Sequence, residues 1–198
     1  MSQSSGNLES QSVLPLMFND EESLSYQDFI QQLEHTSKPL SISKIRYVLD
    51  NLYLSEHQIK ELAEFKDETY CRKRLFKNEH CEVLMLSWLN GQRSKIHDHL
   101  GTSCGVKVLS GQATETVFER APNKHIYATE SNVYEEGSVT ASIDDDIHQI
   151  SNLQANNEPL VTIHIYSPPL KQFRLYKLES AETDWFDSET MNSWIYEI

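Results

Sequence analysis

Hydrophobic residues in the first third of the chain recur with the spacing of amphipathic helices. Residues 23–33, 41–53 and 55–65 each place apolar side chains three or four positions apart, on one helical face. Ser55 stands three positions before Gln58, which is the arrangement of a capping box at a helix start. The pattern therefore predicts three helices in this part of the chain.

From about Thr69 the pattern changes to short runs rich in β-branched and aromatic residues, separated by turn residues. The runs span residues 70–76, 81–89, 104–111, 113–119, 124–130, 138–143, 148–151 and 159–167. Many short strands without intervening helices indicate an antiparallel sandwich or barrel. The predicted fold class is therefore mainly β, with an N-terminal segment of about three helices.

The length of 198 residues favours a single domain. We expect a flexible N-terminal segment over residues 1–20 and one domain over residues 21–178. Within that domain the helices fall in residues 21–66 and the barrel in residues 68–178. The acidic C-terminal extension, residues 179–198, contains two tryptophans, and we therefore expect it to dock on the barrel.

The chain carries 17 basic and 30 acidic side chains, for a formal charge of −13. This excess opposes binding to nucleic acid or to anionic membranes, because both require clustered lysine and arginine. We see no secretory signal and no apolar run near the roughly 18 residues of a membrane span. Three cysteines, an odd number, fit thiols in a reducing compartment. We expect a cytoplasmic monomer.

Residues 91–99 carry two histidines separated by one residue. In an extended chain His97 and His99 point to one face and Asp98 to the other, because side chains alternate along a strand. Two imidazoles on one face can bind the same metal ion. Taken alone, the pair also fits a solvated strand, and both interpretations stay open at this point.

The surrounding spacing resembles the two signature motifs of the cupin barrel. Gly91 and the histidine pair match the first motif, and His148 follows Gly137 at the spacing of the second. The carboxylate ligand of the first motif is replaced by Cys104, which leaves three neutral imidazoles. Neutral ligands leave the charge of a divalent metal uncompensated and favour an anionic thiolate. A closed structural zinc site, which normally takes four ligands, is the alternative.

Further segments make the resemblance specific. Together, residues 97–99, 104, 107–118 and 164–169 resemble cysteine dioxygenase, a cupin-fold thiol dioxygenase family. The similarity extends from about Tyr70 to Pro169. It implies a cupin barrel and an iron(II) ion held by His97, His99 and His148. It also implies L-cysteine and O2 as the small-molecule partners, with cysteine oxidised to its sulfinic acid.

The resemblance implies a substrate-binding pair in the first strand. Arg72 matches the arginine that binds the substrate carboxylate, with Tyr70 assisting. Arg72 also lies in the basic run 72–74, which by charge pattern alone fits a solvated strand edge equally well. Related mercaptopropionate dioxygenases typically carry glutamine at this position, so Arg72 favours an α-amino acid thiol.

The resemblance also implies catalytic roles near the metal. Thr162, His164 and Tyr166 alternate on one strand face, which fits a catalytic relay or a satisfied polar ladder. By resemblance Tyr166 lies beside the iron and His164 orients its hydroxyl group, while Thr162 stands where the family has serine. Cys104 matches the cysteine that forms a thioether with this tyrosine in animal members, or is a small buried hydrophobe. A cis peptide is implied at Ser167–Pro168.

Two alternatives to cysteine oxidation stay open. The first is another small thiol, such as 3-mercaptopropionate, cysteamine or a cysteine derivative, because the chain departs from the family pattern at Thr162 and Gly105. The second is a non-catalytic cupin that senses a metal or a small ligand. Arg72, Tyr70 and Tyr166 argue against the second alternative, because metal binding alone requires none of them.

Overall fold

The computed structural model of the chain describes residues 23–144 and 146–187. The helices of the described part are α1 (Tyr26–Glu34), α2 (Ile42–Asn51) and α3 (Glu56–Leu62). The strands are β1 (Cys71–Lys77), β2 (Glu82–Trp88), β3 (Ile96–His97), β4 (Thr102–Ser110), β5 (Ala113–Arg120), β6 (Ile126–Tyr134), β7 (Val139–Asp144), β8 (Ile147–Ser151), β9 (Leu160–Ser167), β10 (Gln172–Lys177) and β11 (Ser180–Asp187).

The three predicted helices are present, with ends that differ from the prediction by a few residues. Each begins after a serine whose hydroxyl oxygen accepts a backbone N–H three residues later; these are Ser25, Ser41 and Ser55. The capping box predicted at Ser55 and Gln58 is confirmed. Among the described residues, none of the helices combines the length and the hydrophobicity needed to cross a membrane.

Five strands form the first sheet, in the order β1–β2–β9–β4–β7. The central strands β2 and β9 are buried along their whole length, because the helices cover one face of the sheet and the second sheet covers the other. In β9 the side chains of Ile163 and Ile165 pack against the helices. Thr162, His164 and Tyr166 take the opposite, inner face, as their alternation predicts.

Six strands form the second sheet, in the order β11–β10–β3–β8–β5–β6. The core between the two sheets includes Leu84, Trp88, Phe173 and Phe186. Two facing antiparallel sheets with helices packed outside one of them confirm the predicted fold class, a mainly β cupin barrel. Strand β11 lies in the region predicted as the C-terminal extension, and it pairs with β10. The expectations for residues 1–20 and 188–198 lie outside the described residues.

Helix α2 packs directly on strand β4 at Gly105. A Cβ atom at Gly105 would lie 2.3 Å from Ile45 Cγ2 and 2.9 Å from Leu49 Cδ1, so a side chain there would displace the helix. Two residues further along, Lys107 Nζ donates to three carbonyl oxygens at the C-terminal end of α2, at 2.8–3.2 Å. A cation at this end satisfies carbonyl groups that lack partners within the helix. Both contacts fix α2 on the outer face of the barrel.

Candidate active site

Three buried imidazoles converge in the space between the two sheets. His97 in β3 pairs directly with His148 in β8, and His99 follows two residues after His97. The ring centroids are 4.7–4.9 Å apart, and the ligand nitrogens all lie within 4.8 Å of one another. Within the described part of the chain, no carboxylate belongs to this group. The two motifs therefore meet in space, as the sequence predicts.

A tight turn follows His99. The Thr102 N–H donates to the His99 carbonyl oxygen at 3.1 Å, and the central residues Leu100 and Gly101 have φ angles of +50° and +76°. Glycine adopts a positive φ readily, whereas leucine does so at a cost in backbone strain. The turn reverses the chain into β4 and brings Cys104 to the cavity that His99 also lines.

The protonation state of His97 suits metal binding. Its Nδ1–H donates to the Lys95 carbonyl oxygen at 2.9 Å, which leaves the lone pair on Nε2. Burial, followed by the neighbouring His148 and His99, lowers the pKa of His97 well below its ordinary value. A neutral His97 beside two further imidazoles fits a divalent transition metal, which binds deprotonated imidazole nitrogens.

The imidazoles form part of the wall of a cavity of about 250 Å³. Apolar side chains, including Leu86 and Val106, separate its polar groups. The residues proposed from the sequence that line this cavity are Tyr70, Arg72, His97, His99, Cys104, His148, His164 and Tyr166. Thr162 lies behind His164, in the wall of a smaller adjoining cavity. The fold thus gathers the proposed site residues in one place.

Arg72 and Tyr70 lie together at the start of β1. Both side chains are buried, and the Tyr70 ring stacks on the Trp88 indole with centroids 4.0 Å apart. Burial raises the pKa of Tyr70, which keeps its hydroxyl group protonated. Burial alone would lower the pKa of Arg72. The interactions of the guanidinium with Tyr70 and Tyr166 have a larger, opposite effect and raise this pKa, so the guanidinium stays charged.

The members of the basic run 72–74 have separate surroundings. Lys73 Nζ pairs with Glu64 at 2.7 Å, and Arg74 Nε pairs with the buried Glu82 at 2.6 Å. Arg72 lines the cavity, and among the described residues its Nε has no hydrogen-bond partner. A buried cation with an unsatisfied donor is suited to an anionic ligand. The solvated-edge interpretation is therefore wrong for Arg72.

A row of polar groups runs along the inner face of β9. Thr162 Oγ1 lies 2.9 Å from His164 Nε2, and His164 Nδ1 lies 3.5 Å from the Tyr166 hydroxyl oxygen. The Trp88 indole N–H donates to Thr162 Oγ1 at 3.3 Å. At the other end of the row, the Tyr166 ring packs edge-on against His99, with centroids 5.1 Å apart. The row therefore links the interior of the barrel to the imidazole cluster.

Cys104 lies directly opposite Tyr166 in the ladder between β4 and β9. Directly opposed residues of antiparallel strands have Cβ atoms about 4.5–5.5 Å apart, and both side chains line the cavity. The Ser167–Pro168 peptide after Tyr166 is cis, as the resemblance predicts. Ser167 Oγ accepts the Leu40 N–H and donates to the His80 carbonyl oxygen, both at 2.7 Å.

The cavity wall includes residues that the sequence did not single out, among them a tryptophan and a hydrogen-bonded pair. The first is Trp88, and it was detectable, because it continues the inward alternation of Leu84 and Leu86 along β2. The second is the pair in which the Tyr134 hydroxyl donates to Glu115 Oε2 at 3.0 Å. These two residues meet through the pairing of β5 with β6, and neither has a chemical motif around it.

A cupin barrel with converging imidazoles on its inner wall defines a cupin whose cavity carries a group of side chains suited to hold a metal ion. Residues 25–179 match the family model for cysteine dioxygenase type I. Because the match covers more than half of the chain, the chain belongs to the cysteine dioxygenase type I family, and therefore to the dioxygenases.

Three curated relatives of the chain are named cysteine dioxygenase type 1. The protein from Danio rerio is 27% identical over 158 residues, which cover 76% of this chain and 78% of that protein. The protein from Rattus norvegicus is 29% identical over 136 residues, or 66% of each chain. The human protein is 33% identical over 113 residues, which cover 54% of this chain and 55% of that protein.

Two solved structures that resemble the chain are bacterial proteins. An uncharacterized conserved protein with a double-stranded β-helix domain, from Klebsiella pneumoniae subsp. pneumoniae, has a TM-score of 0.48 and 16% identity, covering 63% of this chain and 96% of that chain. A protein from Thermus thermophilus has a TM-score of 0.47 and 22% identity, covering 56% of this chain and 94% of that chain.

Proposed function

We propose that this dioxygenase oxidises L-cysteine to cysteine sulfinic acid, on an iron(II) ion held by His97, His99 and His148. Both atoms of O2 are added to the thiol sulfur, so a thiol and one O2 give a sulfinic acid without a further reductant. The observation that carries the proposal is the buried, charged Arg72 in the same cavity as the three imidazoles. One small molecule can therefore bind to the metal ion and to Arg72 at the same time.

Arg72 and Tyr70 bind the substrate carboxylate. The guanidinium offers parallel N–H donors that match the two oxygens of a carboxylate, and its Nε lacks another partner among the described residues. Tyr70 is held by stacking on Trp88, so its hydroxyl group needs little further ordering when the substrate binds. Together they fix the carboxylate end of cysteine and leave the thiol end for the imidazole cluster.

The iron ion, when bound, supplies the positive charge that favours a thiolate and the redox chemistry that activates O2. The chain keeps His97 neutral through burial and orients it through the hydrogen bond to the Lys95 carbonyl oxygen. Burial of all three imidazoles keeps bulk water away from the sulfur during the reaction.

The row of polar groups along β9 orients the Tyr166 hydroxyl. Trp88 donates to Thr162 Oγ1, and the Thr162 hydroxyl in turn donates to His164 Nε2. The His164 proton then lies on Nδ1, where it is donated to the Tyr166 oxygen. The Tyr166 hydroxyl keeps its own proton as a donor to the oxygen atoms being transferred. In this scheme His164 acts through Tyr166.

Cys104 and Tyr166 form a thioether. Their facing positions in the ladder support this step, because both side chains reach the same cavity. The S–H of Cys104 and one aromatic C–H of Tyr166 are replaced by a C–S bond, and the two hydrogens with their electrons pass to O2. The crosslinked protein is therefore lighter than its sequence by two hydrogen atoms.

The protein acts as a cytoplasmic monomer on free thiols. Cys71, Cys81 and Cys104, which are all among the described residues, form no disulfide. This agrees with a reducing compartment, where cysteine itself is present as the thiol.

The proposed function is tested by loading the protein with Fe²⁺ under anaerobic conditions and measuring O2 consumption and sulfinic acid formation. The thiols to compare are L-cysteine, 3-mercaptopropionate and cysteamine, of which cysteamine lacks the carboxylate. We expect one O2 consumed per sulfinic acid formed, with L-cysteine the best substrate by kcat/KM. A preference for cysteamine would contradict the role of Arg72. If none of the three thiols causes O2 uptake, the result would favour the alternative of a non-catalytic cupin that senses a metal or a small ligand.

A further inference from the structure

A buried carboxylate lies between two of the proposed metal ligands. Asp98 separates His97 from His99, is 1% exposed, and does not line the cavity. Its side chain turns to the opposite side of the chain, towards strand β10. Burying a carboxylate is costly unless hydrogen bonds compensate it, so its surroundings need an explanation.

Four hydrogen bonds attach Asp98 to two residues of β10. Asp98 Oδ1 accepts the Arg174 backbone N–H at 3.1 Å, and Oδ2 accepts Arg174 Nε at 2.6 Å and the Tyr176 hydroxyl at 2.7 Å. The Asp98 N–H donates to the Arg174 carbonyl oxygen at 3.3 Å. Tyr176 is itself buried, and the Arg120 guanidinium lies over its ring at 5.4 Å. Both oxygens of the carboxylate are therefore satisfied.

These bonds end strand β3 at His97. In a continued antiparallel pair, the Arg174 N–H would donate to the Asp98 backbone carbonyl. Here the Asp98 side chain takes that acceptor position, so the Asp98 N–H makes the last bond of the ladder and the Asp98 carbonyl leaves it. The chain can then turn, and the turn closed by the His99 carbonyl follows at once. The relative placement of His97 and His99 thus depends on the Asp98 carboxylate.

We propose that Asp98, Arg174 and Tyr176 form a positioning cluster that fixes the two imidazoles of the His97–His99 pair in the geometry for binding one metal ion. The proposal rests on the metal ligands assigned under the proposed function. The cluster lies outside the cavity wall, whereas Arg72 and Tyr70 approach the cavity from the other sheet. It therefore governs metal binding and leaves binding of the thiol carboxylate unchanged.

The test measures Co²⁺ and Fe²⁺ binding to the metal-free protein, together with the visible ligand-field spectrum of the Co²⁺ form. The variants are Asp98→Asn, which places an NH2 group against two donors, and Tyr176→Phe, which removes one hydrogen bond and keeps the ring. The matched control is Lys177→Met, on the same strand, which removes the exposed ion pair with Asp184. The reference for complete loss of a ligand is His148→Ala.

We expect metal affinity to fall about ten- to hundredfold in Asp98→Asn and in Tyr176→Phe, with a shifted Co²⁺ spectrum. Lys177→Met keeps the affinity and spectrum of the unmodified protein.

The proposal is overturned if Tyr176→Phe binds Co²⁺ with unchanged affinity and spectrum, whether or not Asp98→Asn folds. It is also overturned if Lys177→Met weakens binding as much as Tyr176→Phe, since the effect would then be general to the β10–β11 hairpin. If His148→Ala keeps full affinity, the metal ligands themselves are wrong and both proposals fail. Metal binding without oxidation of any thiol would contradict the proposed function alone.

Discussion

At the residue scale, the burial of Arg72 in the cavity wall is the basis of its proposed role in substrate choice. A buried guanidinium cannot lose its proton at any ordinary pH, so its charge must be met by a ligand or by neighbouring dipoles. The nearby tyrosines supply dipoles, and the Nε of Arg72 still lacks a partner among the described residues. A substrate carboxylate would complete this set of interactions, so we expect thiols that carry a carboxylate to be favoured.

Replacing Arg72 with glutamine is expected to raise the KM for L-cysteine about ten- to hundredfold, with a smaller change in kcat. This range corresponds to losing hydrogen bonds to a charged group, which are worth about 1.5–3 kcal/mol. The KM for cysteamine, which lacks a carboxylate, should not change. Steady-state O2 consumption measures both values.

The control for Arg72→Gln is Lys73→Met, on the same strand, whose side chain pairs with Glu64 away from the cavity. It should leave both KM values unchanged. An equal rise in KM for cysteine and for cysteamine in Arg72→Gln would show that Arg72 does not bind the carboxylate.

Thr162 tests the row of polar groups along β9. Thr162→Val keeps the shape of the side chain but leaves the buried Trp88 N–H without its acceptor, so we expect the free energy of unfolding to fall by about 1–3 kcal/mol. We also expect kcat to fall, because His164 Nε2 loses its donor. Thr162→Ser, which retains the hydroxyl, should preserve both values. Urea unfolding and O2 consumption are the measurements, and an unchanged kcat in Thr162→Val would contradict the orienting role.

The sequence predicts which site residues share a face wherever that face follows from the alternation of side chains along a strand. The common face of Thr162, His164 and Tyr166 needs only the period of two, whereas His99 lies beyond the end of β3 and its placement also depends on the contacts of Asp98. The partners of Asp98 could not be predicted in this way, because they lie more than 70 residues further along the chain. Their contact exists only once β10 has paired with β3.

At the element scale, the contact between helix α2 and strand β4 shapes the outer face of the barrel. The sequence shows the apolar stripe of α2, but it does not show which surface this stripe packs against. Gly105 leaves the room that Ile45 and Leu49 occupy, so its lack of a side chain serves packing. The helix contact thus explains why Gly105 departs from the family pattern, and a different substrate is not needed to explain it.

Gly105→Ala should destabilise the protein by about 1–3 kcal/mol, because the new methyl group overlaps Ile45 Cγ2. In Gly105→Ala/Ile45→Ala the overlapping atom is absent, so the combined loss should be smaller than the sum of the two single losses. The measurement is a double-mutant cycle by urea unfolding. Additive losses would show that the two residues do not contact each other as described.

Elements of different length were not equally predictable. The helices carry capping serines and long apolar stripes, so their positions follow from local signals. Strand β3 has only two residues, and pairing with β8 and β10 defines it. Strands β10 and β11 carry exposed polar residues and an exposed Trp185. They belong to the barrel because of their pairing with other strands, which cannot be predicted from the local sequence pattern.

At the scale of the whole molecule, the site is assembled from both sheets. The second sheet contributes His97 and His148, and the first contributes Arg72 and Tyr166. The net charge of −13 would repel an anionic thiol such as 3-mercaptopropionate at long range, whereas L-cysteine is a zwitterion without net charge near neutral pH; salt also screens exposed charges beyond about 8 Å under physiological conditions. Attraction of the thiol therefore depends on the cationic groups inside the cavity, which are shielded much less.

The most direct test of the whole interpretation is a single turnover under isotopically heavy O2, with anaerobically iron-loaded protein and L-cysteine. Mass spectrometry of the product measures how many heavy oxygen atoms it carries. We expect cysteine sulfinic acid with both oxygens from the gas, and no product from His148→Ala. Cystine as the main product, or a sulfinic acid with an oxygen from water, would contradict a dioxygenase acting on cysteine at these three imidazoles.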